Sequence, residues 1–306
     1  MTNIETRALP KKRKAVNEYA LTAILFLAPT VLLLVLFVVW PILESIRISF
    51  TEWTGLGKAQ IYVGFSNWAR LLQDAVFWKA LGNNLTLAVF SILIQLPFAL
   101  GLAVLLDKGG RRFRVFKLAY FMPLLISSVA VGFLFKYIYD PNFGMLNAVL
   151  DATGLHVLAK SWLGEPSIAL YAVLAVICWQ FIPFYMLIFQ AALASMPGEL
   201  HDAAVIDGAT ENQFFWRIVL PMLQGTIRTS AVLSLIGSLR YFDLIYVLTG
   251  GGPSGSTELM ATYMYKQAFA SFNFGYGSTI GVALILAVLV MSGIVLTLTK
   301  RFQTEA

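Results

Sequence analysis

Arg240 and Asp243 interrupt the inside of a largely apolar run from Thr226 to Leu248, which also carries Arg228 near its start. Three residues apart on a helix, they share a face and can pair. Charges inside an apolar span are costly and mark a pathway by default. One reading is an ion pair that neutralises itself; the other is a polar patch for the hydroxyls or an anionic group of a solute. The segment Cys178-Trp179-Gln180-Phe181-Ile182-Pro183-Phe184-Tyr185 places a proline inside a second apolar run, where it removes a backbone hydrogen bond. Gln95-Leu96-Pro97 repeats that chemistry and reads as a kink, while Cys178 and Gly101 read as packing positions. A third group, Ser195 to Ala209, has the chemistry of a short helix. Serine then proline with Glu199 and Asp202 suit its start, and Gly208 suits its end. Leu200, Ala203, Ala204 and Asp207 fall on one face, and a helix so short needs a partner to pack on. Catalytic constellations are absent. There is no G-x-x-x-x-G-K-[ST] phosphate loop, no Ser-His-Asp or paired-carboxylate set, one cysteine, and two distant histidines, His156 and His201. The expectation is a non-enzymatic chain that holds neither cofactor nor metal.

The elements that carry these residues follow from composition. Of 306 residues, 58% are hydrophobic and 12% charged, with a mean hydropathy of +0.76. A soluble domain carries about 25% charged residues, so lipid must solvate most of this surface. The composition excludes a soluble enzyme and a nucleic-acid-binding tail protein. Six spans are expected: Tyr19–Leu43, Asn83–Leu106, Leu118 to about residue 138, Ser167–Ala192, Thr226–Leu248 and Ser278–Thr299. The fold class is an all-α integral membrane protein.

Basic residues concentrate before span 1, between spans 2 and 3, between spans 4 and 5, and after span 6. They include Lys11, Lys12, Arg13 and Lys14, Arg111, Arg112, Arg114 and Lys117, then Lys300 and Arg301. That asymmetry predicts cytoplasmic N and C termini, so the basic tail is a topology signal. The first span exceeds a signal peptide's apolar region and is expected to be retained. The expected organisation is a cytoplasmic tail 1–18, a first span 19–43, an outer loop 44–78, a transport region 79–300 with a cytoplasmic loop 195–221, and a tail 301–306. The outer loops, rich in Trp, Tyr, Phe, Gly and Pro, read either as an aromatic belt or as a docking surface.

Asp202-Ala203-Ala204, three residues, Gly208, nine residues, then Ile218-Val219-Leu220-Pro221 closely resembles the EAA loop of ABC importer permeases. The first acidic position is Asp202 where the family pattern has glutamate. Trp40-Pro41, Phe65-Ser66-Asn67-Trp68, Met122-Pro123, Gly250-Gly251-Gly252-Pro253, Thr257, Tyr263 and Phe269 extend the resemblance over nearly the whole chain. It is to the compact six-span carbohydrate permeases related to the larger subunit of the maltose permease. What the resemblance implies is a type I importer transmembrane domain in the bacterial inner membrane. It also implies a second homologous permease, two ATP-binding subunits holding ATP and Mg, and an extracytoplasmic solute-binding protein. Glu199, Asp202, Ala203, Ala204, Asp207, Gly208, Ile218, Leu220 and Pro221 would form the loop that couples to the ATPase. The same resemblance makes Trp179, Gln180, Phe181 and Phe184 substrate-pathway candidates, together with Ser238, Arg240 and Tyr241; Asp243 joins them as the second charge in that span. The implied substrate is a sugar or small polyol, with glycerol phosphate included through Arg240. The rival reading is a stand-alone secondary transporter or channel that uses Arg240 and Asp243.

Overall fold

A computed structural model of the chain describes residues 12–57, 59–108 and 114–300. Lys11, Arg111, Arg112 and Arg301, on which the expected orientation leans, lie outside the described residues. The first span is one continuous rod built from α1 (Lys12–Leu34), a π-helical turn at Val35–Val39 and α2 (Trp40–Ser49). The wide turn sits just before Pro41, whose ring would otherwise press on the carbonyl four residues back. A two-residue hairpin follows, β1 (Thr51–Glu52) antiparallel to β2 (Ile61–Tyr62), with Thr51 opposite Tyr62.

After α3 (Ser66–Gln73), α4 (Ala75–Lys108) forms the second span and begins eight residues before the expected Asn83. Asp74 explains the earlier start: its Oδ1 accepts from the N–H of Val76 at 2.8 Å and of Phe77 at 3.3 Å, supplying an N-cap. Pro97 lies inside α4 without ending it. The third span is not the straight helix the uncharged run suggests. It is α5 (Arg114–Leu125) and α6 (Ser128–Ile138), bent by 99° at Ile126–Ser127. After α7 (Met145–Ala152), α8 (Ala169–Ala194) passes unbroken through Pro183.

The segment after α8 holds α9 (Glu199–Ile206), α10 (Glu211–Phe214), a π-helical turn at Phe215–Val219 and α11 (Leu220–Met222). The second π turn again precedes a proline, Pro221. α12 (Gln224–Arg240) then enters the bundle, bent by 62° from the preceding segment. The rest comprises α13 (Asp243–Leu248), α14 (Met260–Tyr265), a π-helical turn at Lys266–Ala270 and α15 (Phe274–Lys300). Among the described residues four helices are long and apolar enough to cross a membrane, or up to six if each bent pair counts as one span.

The core lies where α8 packs on α4, with Val173, Ile177, Met186 and Phe189 fully buried. α4 spans about 51 Å from its 34 residues. Its first turn adjoins Tyr263 and Tyr276 through Asp74, and Gly275 N donates to Trp53 O at 3.2 Å. Its far end brings Val104 to the segment after α8. The hairpin and the 195–221 loop therefore occupy opposite ends of the bundle.

Candidate functional site

Arg240 ends α12 and Asp243 starts α13, so the single helix expected over Thr226–Leu248 is broken between the two charges. Tyr241 is extended (ψ 128°) and Phe242 is irregular (φ −135°, ψ −64°). The two charges therefore share no helical face, and among the described residues no ion pair joins them, which favours the polar-patch reading over the self-neutralising pair. The break has a partner elsewhere in the chain. Asn84 Nδ2 donates to the carbonyls of Ser238 at 3.0 Å and Leu239 at 3.3 Å, while Asn84 Oδ1 accepts from Met260 N at 2.9 Å. Carbonyls freed at a helix end inside a bundle need such a donor. One buried amide on α4 thus holds both the end of α12 and the start of α14.

The break opens a cavity of about 510 Å³. Phe181 and Phe184 from α8 line it, with Ser238, Arg240 and Tyr241 from the end of α12 and Asp243 from the start of α13. The Phe181 and Tyr241 rings meet edge to face at 5.7 Å. Ser234 and Ser238 are fully buried, and the Ser238 hydroxyl oxygen has no hydrogen-bond partner among the described residues. A cavity with aromatic walls, buried hydroxyls, one cation and one anion suits a small polar solute that also has apolar faces.

Two of the eight pathway candidates lie elsewhere. Trp179 packs on Phe135 of α6, with ring centroids 5.2 Å apart. Gln180 is buried and donates through Nε2 to Ile126 O at 3.1 Å, bracing the break between α5 and α6. The cavity also takes side chains the sequence reading did not single out: Ser128, Tyr185, Ser234 and Phe242. Gln95, read as part of a kink, lines it as well. A buried amide inside an apolar run was the available signal for Gln95.

At the opposite end, α9 is closed by Gly208 in the left-handed region (φ +72°). Gly208 N donates to Val205 O at 3.0 Å and Ala209 N to Ala204 O at 2.9 Å, which satisfies carbonyls of the last turn. Ser195 does not start this helix: its hydroxyl donates to Ala192 O at 2.7 Å, at the end of α8. The expected common face is only partly turned inward. Ala204 is buried and Leu200 half-buried, while Glu199, Asp202, Ala203 and Asp207 are exposed. Ile206 is 84% exposed, an apolar residue left uncovered on a helix end. Thr210 and Gln213 cap α10 reciprocally, and His201 Nε2 lies 2.9 Å from Glu211 Oε1, joining α9 to α10. Ile218 sits in the π turn, with Leu220 half-buried and Pro221 exposed in α11.

Residues 95–304 match the family model of the binding-protein-dependent transport system inner membrane component. A probable ABC transporter permease of Pyrococcus horikoshii is 39% identical over 268 residues, covering 88% of this chain and 92% of the relative. The diacetylchitobiose uptake system permease of Streptomyces coelicolor is 33% identical over 302 residues, covering 95% of this chain and 86% of the relative. Among solved structures, a bacterial ABC transporter involved in the import of alginate shares the fold. Its TM-score is 0.81 at 24% identity, over 94% of this chain and 98% of that one. The multi-span helical fold and these matches make the chain a multi-pass membrane protein that belongs to the inner membrane components of binding-protein-dependent transport systems, the ABC importer permeases.

Proposed function

We propose that this chain is the translocation subunit of an ATP-driven importer and that the cavity at the α12–α13 break passes a sugar. The observation that carries the proposal is that cavity: Phe181, Phe184 and Tyr241 offer ring faces for pyranose C–H groups beside Ser238, Arg240 and Asp243 for hydroxyls. The diacetylchitobiose permease among the relatives supports the same substrate class. A stand-alone transporter or channel that uses Arg240 and Asp243 finds no such support among the relatives, which are permeases of ABC transporters.

Energy would enter through α9. Its exposed Asp202, Asp207, Val205 and Ile206 offer acidic and apolar groups to a separate ATP-binding subunit, which would hold ATP and Mg. Closure of that subunit would move residues 195–221 and, through the bent α11–α12 junction, the helix that ends at the cavity. A second permease would complete the cavity and a solute-binding protein would deliver the sugar at the hairpin end. In this reading both termini are cytoplasmic.

The test is ATP-dependent uptake by the assembled importer in proteoliposomes, across a panel of mono- and disaccharides and glycerol phosphate. Phe181→Leu and Arg240→Ala are expected to raise the half-saturating sugar concentration or change which sugar is preferred. Unchanged uptake of every panel member by both variants would contradict the proposal.

A further inference from the structure

Six aromatic rings form an unbroken series from the hairpin to the cavity. Trp53 lies 5.5 Å from Phe274, Phe274 lies 5.1 Å from Phe269, and Phe269 lies 5.1 Å from Tyr265. Tyr265 then meets Phe242 at 5.1 Å and Tyr246 at 5.2 Å. Phe242 and Tyr246 stack on each other at 5.2 Å with ring planes 17° apart. Phe242 is also a wall of the 510 Å³ cavity. Four ring-to-ring steps therefore connect the loop at one end of the bundle to the site at the chain break.

These rings do not behave as core. None belongs to the three apolar clusters that hold the helices together, and none is buried. Phe269 is 54% and Tyr246 43% exposed. Three separate stretches of chain supply them, the hairpin loop, residues 242–246 and residues 265–274. Gly55 sits in the left-handed region (φ +80°), and a Cβ there would collide with the Phe274 ring. The outer end of the series is thus fitted by the absence of a side chain at residue 55. At the inner end, Asp243 and Tyr246 lie three residues apart on α13 and share a face.

Ring faces carry partial negative charge and attract the C–H face of a pyranose without demanding one hydroxyl pattern. The rings meet at 5.1–5.5 Å in edge-to-face, tilted and stacked contacts, and the ring surface they leave exposed offers a saccharide a succession of similar weak contacts without a deep trap, which conduction requires. We infer that Trp53, Phe274, Phe269, Tyr265, Tyr246 and Phe242 form an aromatic track that guides a saccharide from the hairpin end to the cavity. The inference rests on the sugar reading above and adds an approach path to it.

The assembled importer tests it, with uptake of glucose, maltose, maltotetraose and diacetylchitobiose as probes. Tyr265→Leu, Phe269→Leu and Phe274→Leu keep apolar bulk and remove the π face; Tyr265→Phe, Phe269→Trp and Phe274→Trp restore one. Each Leu variant is expected to raise KM for the imported saccharide about fivefold. Maximal rate stays near wild type, and the aromatic variants return KM to it. Leu and aromatic variants that behave alike, or a loss confined to maximal rate, would make the rings packing alone and overturn the track. A wild-type importer that takes up none of the four sugars would overturn the sugar reading and the track with it.

Discussion

Gly208 holds φ +72° at the end of α9, where a β-branched residue pays about 1–2 kcal/mol to remain. Nothing crowds its missing Cβ, so the glycine is needed for conformation and not for space. Gly208→Val is therefore expected to fray α9 while the chain still inserts and folds. Under the proposed coupling, sugar uptake falls tenfold or more with normal membrane levels, and Gly208→Asn, which tolerates the left-handed region, retains most of it. Uptake assays with quantified membrane protein check both variants. The need for this glycine could be read in the sequence, because a helix followed by Gly has one common geometry. The neighbouring serine misled: Ser195 bonds back to α8, and both uses look alike in sequence. Arg240 and Asp243 stood out as charges, yet their relation depended on backbone that two apolar-looking residues, Tyr241 and Phe242, leave unannounced.

At the scale of elements, hydropathy summed over about 20 residues made the spans legible. The breaks within them were not, because distant side chains stabilise them. Gln180 supplies the donor for Ile126 O at the bend of the third span, and Asn84 serves Ser238 and Leu239 where α12 stops. Asn84→Ala would leave those carbonyls and Met260 N–H without partners in a buried site, costing about 2–4 kcal/mol. A lower Tm for the detergent-solubilised variant, with impaired uptake, is the expected outcome. Asp74 links the start of α4 to Tyr263 and Tyr276. Burial pushes its carboxyl up, but bonds from both tyrosine hydroxyls and from the N–H of Val76 and Phe77 outweigh it and hold the pKa below the usual carboxylate value. Because the folded value is the depressed one, the stabilisation is complete above about pH 4 and is lost as pH falls through the folded value. Thermal unfolding of wild type should become acid-sensitive below that pH. Asp74→Asn should show a lower Tm at neutral pH and lose that part of the acid dependence. The π turns before Pro41 and Pro221 show a simpler local cause, a proline that widens the helix rather than ending it.

On the scale of the whole molecule, the chain has the surfaces of a component. The stretch 22–39 of the first span is exposed throughout, the cavity at the α12–α13 break is open, and α9 presents Ile206 and two acids outward. The most direct test is to purify the tagged chain from native membranes in mild detergent, identify what stays bound, and measure uptake in proteoliposomes with and without internal ATP. The expected result is a second multi-span permease and a Walker-motif ATPase in the preparation, with sugar uptake that requires ATP and drops when Gly208→Val replaces wild type. A chain that purifies alone and moves sugar without ATP would contradict the account.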